Sequence, residues 1–308
     1  MLRKILIAVD GSMHSKGALA YVASVFKQSP EVQFTLFNVQ PMISQYLLEE
    51  ARTDSKADAE LRRVIDQQTV DSNALLGKAC DQFVRMGVDL KCIKLVSQVR
   101  RQGQAKDVID YAHRHLYDAI VVGRRGLSRI QKAFMGSTSA KIMEHAASIP
   151  VWIIDGDVRA RKILVPIDVS DTSMQMVDYV GMILGGQSDV HLTLYHVDET
   201  PVASHSTAEG YRMIMADAIA KTEQRWQQHY WAATQKNLEE AGIHSSQIEQ
   251  LTVPRTGRIA KMILEQVQSG DYDTVILGRR GSGEAFFFGS VSHYVIERLT
   301  DRAVWLIG

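Results

Sequence analysis

The second half of the sequence repeats the first, and this repeat limits the folds open to the chain. Residues 4–10 read KILIAVD, and residues 162–168 read KILVPID. Further along, residues 117–126 match residues 272–281, where each copy is an apolar run that ends in Gly-Arg-Arg-Gly. A repeat of this length indicates two duplicated domains rather than a solenoid of small units.

Within each half, short apolar runs alternate with longer segments that have helical spacing. Continuous β-branched runs are typical of parallel strands that are buried on both faces. Helices between such strands predict right-handed crossovers. We therefore predict an α/β fold with two tandem, doubly wound, five-stranded parallel sheets, in domains at 1–156 and 157–308. Residues 43–86, which are rich in charge, are predicted to form one long helix.

A glycine-spaced loop follows the fourth predicted strand of the first half. It begins at Gly123-Arg124 with Gly126, carries Arg129, and ends where Gly136-Ser137-Thr138-Ser139 opens the next helix. The start of a helix leaves backbone N–H donors free and places the positive end of its dipole there, and both features suit an anion. We interpret the loop as a phosphate site, and the alternative is an ordinary surface loop.

Asp10 ends the first strand and recurs as Asp168 at the matching place in the second half. Ligands of open parallel sheets bind at the carboxyl ends of strands, where the strand order reverses. The Asp10 carboxylate is therefore a candidate hydrogen-bond partner for a ribose or a base. The alternative interpretation is that this side chain only caps the local turn.

Together, the spacing Gly-x2-Gly-x9-Gly-Ser and the strand-end Val-Asp-Gly-Ser resemble the universal stress protein family. The resemblance implies a sheet order of 3-2-1-4-5, as in the adenine nucleotide alpha hydrolase-like fold, and ATP as the ligand, with Mg²⁺ or Mn²⁺. It implies that backbone groups of Ala8 and Val39 meet the adenine. It also implies that the fifth strands, 151–154 and 304–307, pair inside the chain as a pseudo-dimer, and that whole chains form a homodimer.

In the second half the same loop departs from the family pattern. Seven residues separate Gly281 from Gly289 instead of nine, and they include Glu284 and the run Phe286–Phe288 in place of basic residues. We expect this loop to hold a triphosphate less well. The candidate binding residues of the second half are Pro166, Asp168, Val197, Gly278, Arg279, Gly281, Gly289, Ser290 and Val291.

Three functions compete. The first is a nucleotide-binding stress protein without strong catalysis, because the chain has no P-loop and no paired nucleophile and base. The second is a slow ATPase, for which Asp10 is the one candidate group. The third is a carrier for a lipid-like ligand, bound by Phe286–Phe288 and the helix at 208–241. The Met, Trp and Tyr residues of that helix are more typical of a core; they are Met213, Met215, Trp226, Tyr230 and Trp231.

Composition narrows the partners and the compartment. The chain has 35 basic and 35 acidic residues, so its charge does not favour nucleic acid or an anionic membrane. No apolar run approaches the roughly 20 residues of a membrane span. Cys80 and Cys92 lack CxxC spacing, and we expect a cytoplasmic protein with reduced thiols. The ten histidines do not suggest a metal site.

Overall fold

The computed structural model describes residues 2–26, 29, 31–124, 136–146, 148–198, 209–279 and 289–308. For 209–221, 223 and 224 it describes the backbone alone. The chain divides into two compact units. Unit 1 holds the described residues of Met1–Arg159 and Thr300–Gly308, and unit 2 holds those of Ala160–Arg280 and Phe288–Leu299.

Unit 1 begins with five β-strands and five α-helices. In chain order they are β1 (Arg3–Ala8), α1 (Met13–Phe26), β2 (Val32–Val39), α2 (Gln45–Glu50), α3 (Ser55–Arg85), β3 (Ile93–Gln98), α4 (Gln104–Arg114), β4 (Ala119–Gly123), α5 (Ser137–His145) and β5 (Val151–Ile154). A short 3-10 turn, Leu90–Cys92, leads into β3. These strands form a parallel sheet in the order 3-2-1-4-5, as the family resemblance implied.

Unit 2 repeats the first four strands of this plan. Its elements are β6 (Lys162–Pro166), α6 (Asp171–Leu184), β7 (His191–Asp198), α7 (Glu209–Glu240), β8 (Ile248–Pro254), α8 (Ile259–Ser269), β9 (Thr274–Gly278) and α9 (Ser290–Arg298). The sheet order is β9-β6-β7-β8, and every pair in it is parallel. Buried apolar strands explain the arrangement, because β1, β4, β6 and β9 are buried along most of their length.

The last strand, β10 (Ala303–Ile307), belongs to unit 1, where it runs antiparallel to β5. Trp305 lies directly opposite Trp152, and the two buried indole rings stack with centroids 3.9 Å apart. The predicted pairing of the fifth strands is therefore confirmed. The predicted α/β fold with two tandem domains is confirmed, and the described strands divide into six in unit 1 and four in unit 2 rather than five in each.

The single helix predicted over 43–86 is two helices in the structure. Helix α2 ends at Glu50, and Asp54 then starts α3 by accepting a hydrogen bond from the Lys56 backbone N–H. An Asp at this position satisfies a free N–H of the new helix, which favours a break over a continuous helix. Gly87 follows α3 with φ of 100°, in the left-handed region that suits a helix end.

The predicted domain limits, 1–156 and 157–308, stay predictions. The compact units cannot be obtained by a single cut, because β10 is grouped with residues from the first half of the chain.

Candidate functional site

A cavity of about 240 Å³ lies in unit 1 at the carboxyl ends of β1, β2 and β4. These ends surround the point where the strand order reverses, because β1 has β2 on one side and β4 on the other. Eight of the predicted binding residues line the cavity: Ala8, Asp10, Val39, Gly123, Gly136, Ser137, Thr138 and Ser139.

The turn after β1 presents the carboxylate of Asp10. Asp10 Oδ1 accepts a hydrogen bond from the Ser12 backbone N–H at 2.9 Å, the one hydrogen bond to this carboxylate among the described residues. Gly11 has φ of 77°, and a Cβ added there would lie 3.1 Å from Leu75 Cδ1 of α3. Ser12 Oγ in turn caps α1 by accepting from the Ser15 N–H. The turn depends on glycine and leaves carboxylate lone pairs available to a ligand.

Gly123 brings the end of β4 against the first turn of α1. A Cβ added to Gly123 would lie 2.6 Å from the His14 carbonyl carbon, so any larger residue would push the strand and helix apart. Its carbonyl accepts from Ser139 Oγ at 2.7 Å, and the Gly136 N–H donates to the Arg124 carbonyl at 2.8 Å. Arg124 and Gly136, the described residues on either side of 125–135, are thus held together at the cavity.

Helix α5 starts at this cavity without a side-chain cap. Its N-cap residue, Gly136, has no side chain to accept from the first-turn N–H groups. Helix α4 also starts here after an uncapped glycine, Gly103, and Thr138 Oγ1 donates to Gln104 Oε1 at 2.9 Å. At α5 the uncapped N–H donors and the positive end of the helix dipole favour an anionic group, whereas the start of α4 already holds the Asp107 carboxylate, which accepts from three backbone N–H groups.

The Arg124 side chain contacts Asp155, and its predicted contact with a phosphate stays a prediction. The Arg124 side chain is only 3% exposed, and its Nε lies 3.7 Å from Asp155 Oδ2. The Arg124 N–H donates to the Ile154 carbonyl, and Asp155 accepts from the Asp301 N–H. The buried ion pair therefore anchors Arg124 beside the end of β5 and the start of β10. Two other predicted loop residues, Gly126 and Arg129, lie outside the described residues.

Half of the residues that line the cavity were not predicted from the sequence. The missed residues are Val9, Ser15, Phe37, Asn38, Gln104, Val108, Val122 and Ile142. Most are apolar and carry no motif, so only the fold brings them together. Asn38 had a usable signal, since it is a polar side chain directly after the apolar pair Leu36-Phe37, near the end of a predicted buried strand.

The matching aspartate in unit 2 is already bonded. Asp168 Oδ1 accepts from Ser170 Oγ and from Ser173 Oγ, the latter at 2.6 Å. Tyr230 of α7 lies close by, and burial raises its pKa to about 12, with a smaller contribution from the Asp168 charge. His196 Nδ1 lies 3.0 Å from the Ile167 carbonyl, which can only accept, so this nitrogen carries the proton.

The remaining predicted residues of unit 2 stand at comparable places in the chain. Pro166 ends β6, Val197 is buried in β7, and Gly289, Ser290 and Val291 form the start of α9. The other three lie around the loop. The Gly278 carbonyl accepts from Ser292 Oγ at 2.8 Å, and burial lowers the pKa of Arg279 to about 10. Gly281 and Phe286–Phe288 are outside the described residues. Trp226, predicted as core, is 69% exposed, so that interpretation was wrong.

The described residues also bear on metal binding and on membrane spans. Those residues include no group of three or more His, Cys, Asp or Glu side chains that could hold a metal ion. They also include no helix long and apolar enough to cross a membrane.

The model of the universal stress protein family matches residues 1–155 and again residues 159–300, so the chain belongs to the universal stress protein family. A universal stress protein from Archaeoglobus fulgidus DSM 4304 has a similar structure, with a TM-score of 0.68 at 19% identity, covering 100% of this chain and 98% of that one. A functionally unknown protein from Pseudomonas aeruginosa PAO1 matches with a TM-score of 0.54 at 13% identity, covering 99% and 92%. These identities speak to the fold alone. No curated protein matched the chain at a significant level.

Proposed function

We propose that this chain binds ATP in the cavity of unit 1 and acts in the stress response by binding rather than by strong catalysis. The observation that carries the proposal is the pairing, in one cavity, of a strand-end carboxylate with an uncapped helix start. A nucleoside triphosphate needs both, because its sugar offers hydroxyl donors and its phosphates are anions.

In the proposed complex, each part of ATP is assigned to a different part of the cavity. Backbone groups of Ala8 and Val39 face the adenine, and Phe37, Val108 and Ile142 provide apolar wall. The Asp10 carboxylate accepts from the ribose. The phosphates lie at the start of α5, among Gly123, Gly136, Ser137, Thr138 and Ser139. We propose that Mg²⁺ or Mn²⁺ binds together with the nucleotide, because Mg²⁺ sites commonly combine few protein ligands with substrate phosphates and water.

We propose one bound nucleotide per chain. In unit 2, the Asp168 carboxylate already accepts from two serine hydroxyls, and Tyr230 lies beside it. Both of these hydrogen bonds fall on Oδ1, so a ribose would have to share or replace them at that oxygen, and we expect it to gain less from Asp168 than from Asp10.

The test combines the contents of the purified protein with a matched pair of variants. Protein purified without added nucleotide is denatured, and what it releases is identified by absorbance and mass spectrometry. Titration calorimetry with ATP and Mg²⁺ then compares Asp10→Ala with Asp168→Ala. We expect one adenine nucleotide per chain, a loss of affinity of roughly 10- to 100-fold for Asp10→Ala, and little change for Asp168→Ala.

Other results would move the function elsewhere. Two nucleotides per chain would contradict the single site. A released lipid-like compound without nucleotide would favour a carrier, and sustained ATP turnover that is lost in Asp10→Ala would favour a slow ATPase. Protein that neither releases nor binds a nucleotide would overturn the proposal.

A further inference from the structure

A chain of buried hydrogen bonds ends beside Asp10. Asn38, which lines the cavity and is 8% exposed, donates from Nδ2 to the Val9 carbonyl at 2.6 Å. Its Oδ1 accepts from Ser72 Oγ of α3 at 2.7 Å. Since one end of the amide donates and the other accepts, these two partners fix which way the amide points.

The chain continues away from the cavity with the same direction of donation. Gln40 Nε2 donates to Ser97 Oγ at 2.8 Å, and Ser97 Oγ donates to Ser72 Oγ at 2.8 Å. Hydrogen bonds that all donate the same way polarise and strengthen one another, especially away from water. Gln40, which directly follows β2, thus orients Ser97 of β3, Ser97 orients the Ser72 hydroxyl, and Ser72 holds the Asn38 amide.

The last acceptor in the chain belongs to the peptide unit of Asp10. The Val9 carbonyl and the Asp10 nitrogen share one planar peptide group, so a hydrogen bond that holds the oxygen also fixes the plane from which Asp10 departs. Asn38 does not need to touch the Asp10 carboxylate to determine where it points.

We propose that Asn38 is a positioning residue, which sets the direction of the Asp10 carboxylate and thereby the recognition of the nucleoside. This inference rests on the proposed binding of ATP and adds the residue that makes Asp10 effective. The simpler alternative is that Asn38 only satisfies a buried carbonyl and contributes to stability.

Unit 2 provides a natural comparison for the same bond. His196 pairs with Thr252 as Asn38 pairs with Ser97, and His196 Nδ1 bonds the Ile167 carbonyl, one residue before Asp168. Either side chain can therefore hold this carbonyl. Replacing Asn38 with His should keep the bond to Val9 and lose only the link to Ser72.

The experiment is a double-mutant cycle in ATP affinity, made on the full chain with Asn38→Ala, Asp10→Ala and the combination. Affinity is measured by calorimetry, and by competition up to millimolar ATP for the weak variants. We expect Asn38→Ala to weaken ATP binding about tenfold alone but less than twofold in the Asp10→Ala background. Ser72→Ala should cost about threefold, and Asn38→His should recover most of the loss.

His196→Ala is the matched control, since it removes the equivalent bond in unit 2 and should leave ATP affinity unchanged. Urea unfolding separates stability from binding, and if Asn38→Ala does not fold, Ser72→Ala is used in the same cycle. Equal losses with and without Asp10 would overturn the positioning role while leaving ATP binding intact. If the protein without any substitution binds no ATP, both proposals are overturned together.

Discussion

The two units place the same residues after their first strand and bond them differently. Asp10, Ser12 and Ser15 correspond to Asp168, Ser170 and Ser173. In unit 1 the serines bond each other and the carboxylate accepts one backbone N–H, whereas in unit 2 both hydroxyls donate to the carboxylate. The same side chains therefore give Asp10 Oδ1 one backbone donor in unit 1 and give Asp168 Oδ1 two hydroxyl donors in unit 2.

One backbone position explains the difference. Gly11 adopts a φ of 77°, a left-handed conformation that is costly for a β-branched residue. Its counterpart is Val169, which is not among the described residues with positive φ. The turn in unit 2 must therefore take another path. A ligand site can be lost through the residue next to the binding group while the group itself remains.

The helix that packs over this turn also differs between the two units. Leu75 of α3 packs against Gly11, and the position matching Leu75 in α7 is Tyr230. A tyrosine is larger than a leucine and carries a hydroxyl group. The half-buried Tyr230 side chain lies near Asp168, whose charge adds to the effect of burial in raising the pKa of the tyrosine.

The fifth strand is followed by Asp155 in the first repeat and by Gly308 in the second. The largest effect should come from replacing Asp155 with the glycine of the second repeat. We expect Asp155→Gly to lower the free energy of unfolding by about 3 kcal/mol, because it removes a carboxylate from the buried Arg124 guanidinium. Urea unfolding measures this, with Asp157→Gly as a more exposed control. A loss below about 1 kcal/mol would contradict the anchoring role.

The next effect tests the turn itself. Gly11→Val should weaken ATP binding about 30-fold, since strain at a positive φ is of the order of 2 kcal/mol and would be relieved by moving Asp10. The reverse change, Val169→Gly, is the control and should leave the affinity of unit 1 unchanged. If Gly11→Val binds ATP as the unchanged chain does, the turn does not determine the difference between the units.

The smallest effect concerns pH. Burial raises the pKa of Tyr230 in unit 2 and of Tyr117 in unit 1 to about 12, above the ordinary value of 10. Because the unfolded chain ionises first, their contribution to stability is complete below pH 10 and is lost as the pH rises from 10 to 12. Urea midpoints measured between pH 9 and 11.5 should fall less steeply for Tyr230→Leu, which restores the residue of unit 1. If the urea midpoint of Tyr230→Leu falls as steeply with pH as that of the unchanged protein, the raised pKa of Tyr230 is contradicted.

Much of the fold could be predicted from local pattern. Continuous apolar runs ending in glycine predicted buried parallel strands, and the repeat predicted two similar halves. The family motif then supplied the strand order 3-2-1-4-5 that unit 1 has. These features depend on hydrophobic periodicity and turn residues, which operate over a few positions and are visible in a sequence.

The details of the site could not be predicted in this way. The pairing of Ala303–Ile307 with β5 was implied by the family resemblance and by nothing local in that run, because it depends on contacts far apart in the chain. Nor does the sequence show that the Arg124 side chain pairs with Asp155, since burial and charge pairing depend on the tertiary structure.

The sequence by itself determined that this chain has two α/β halves, each with a strand-end aspartate and a glycine loop. Only the tertiary structure decided how each aspartate is hydrogen-bonded, because that depends on the path of a turn and on a helix more than sixty residues away. It also decided that Asn38 supports Asp10, through hydrogen bonds among residues from two strands and a helix. Local patterns specify elements, and the packing of distant elements specifies which side chains remain free to bind.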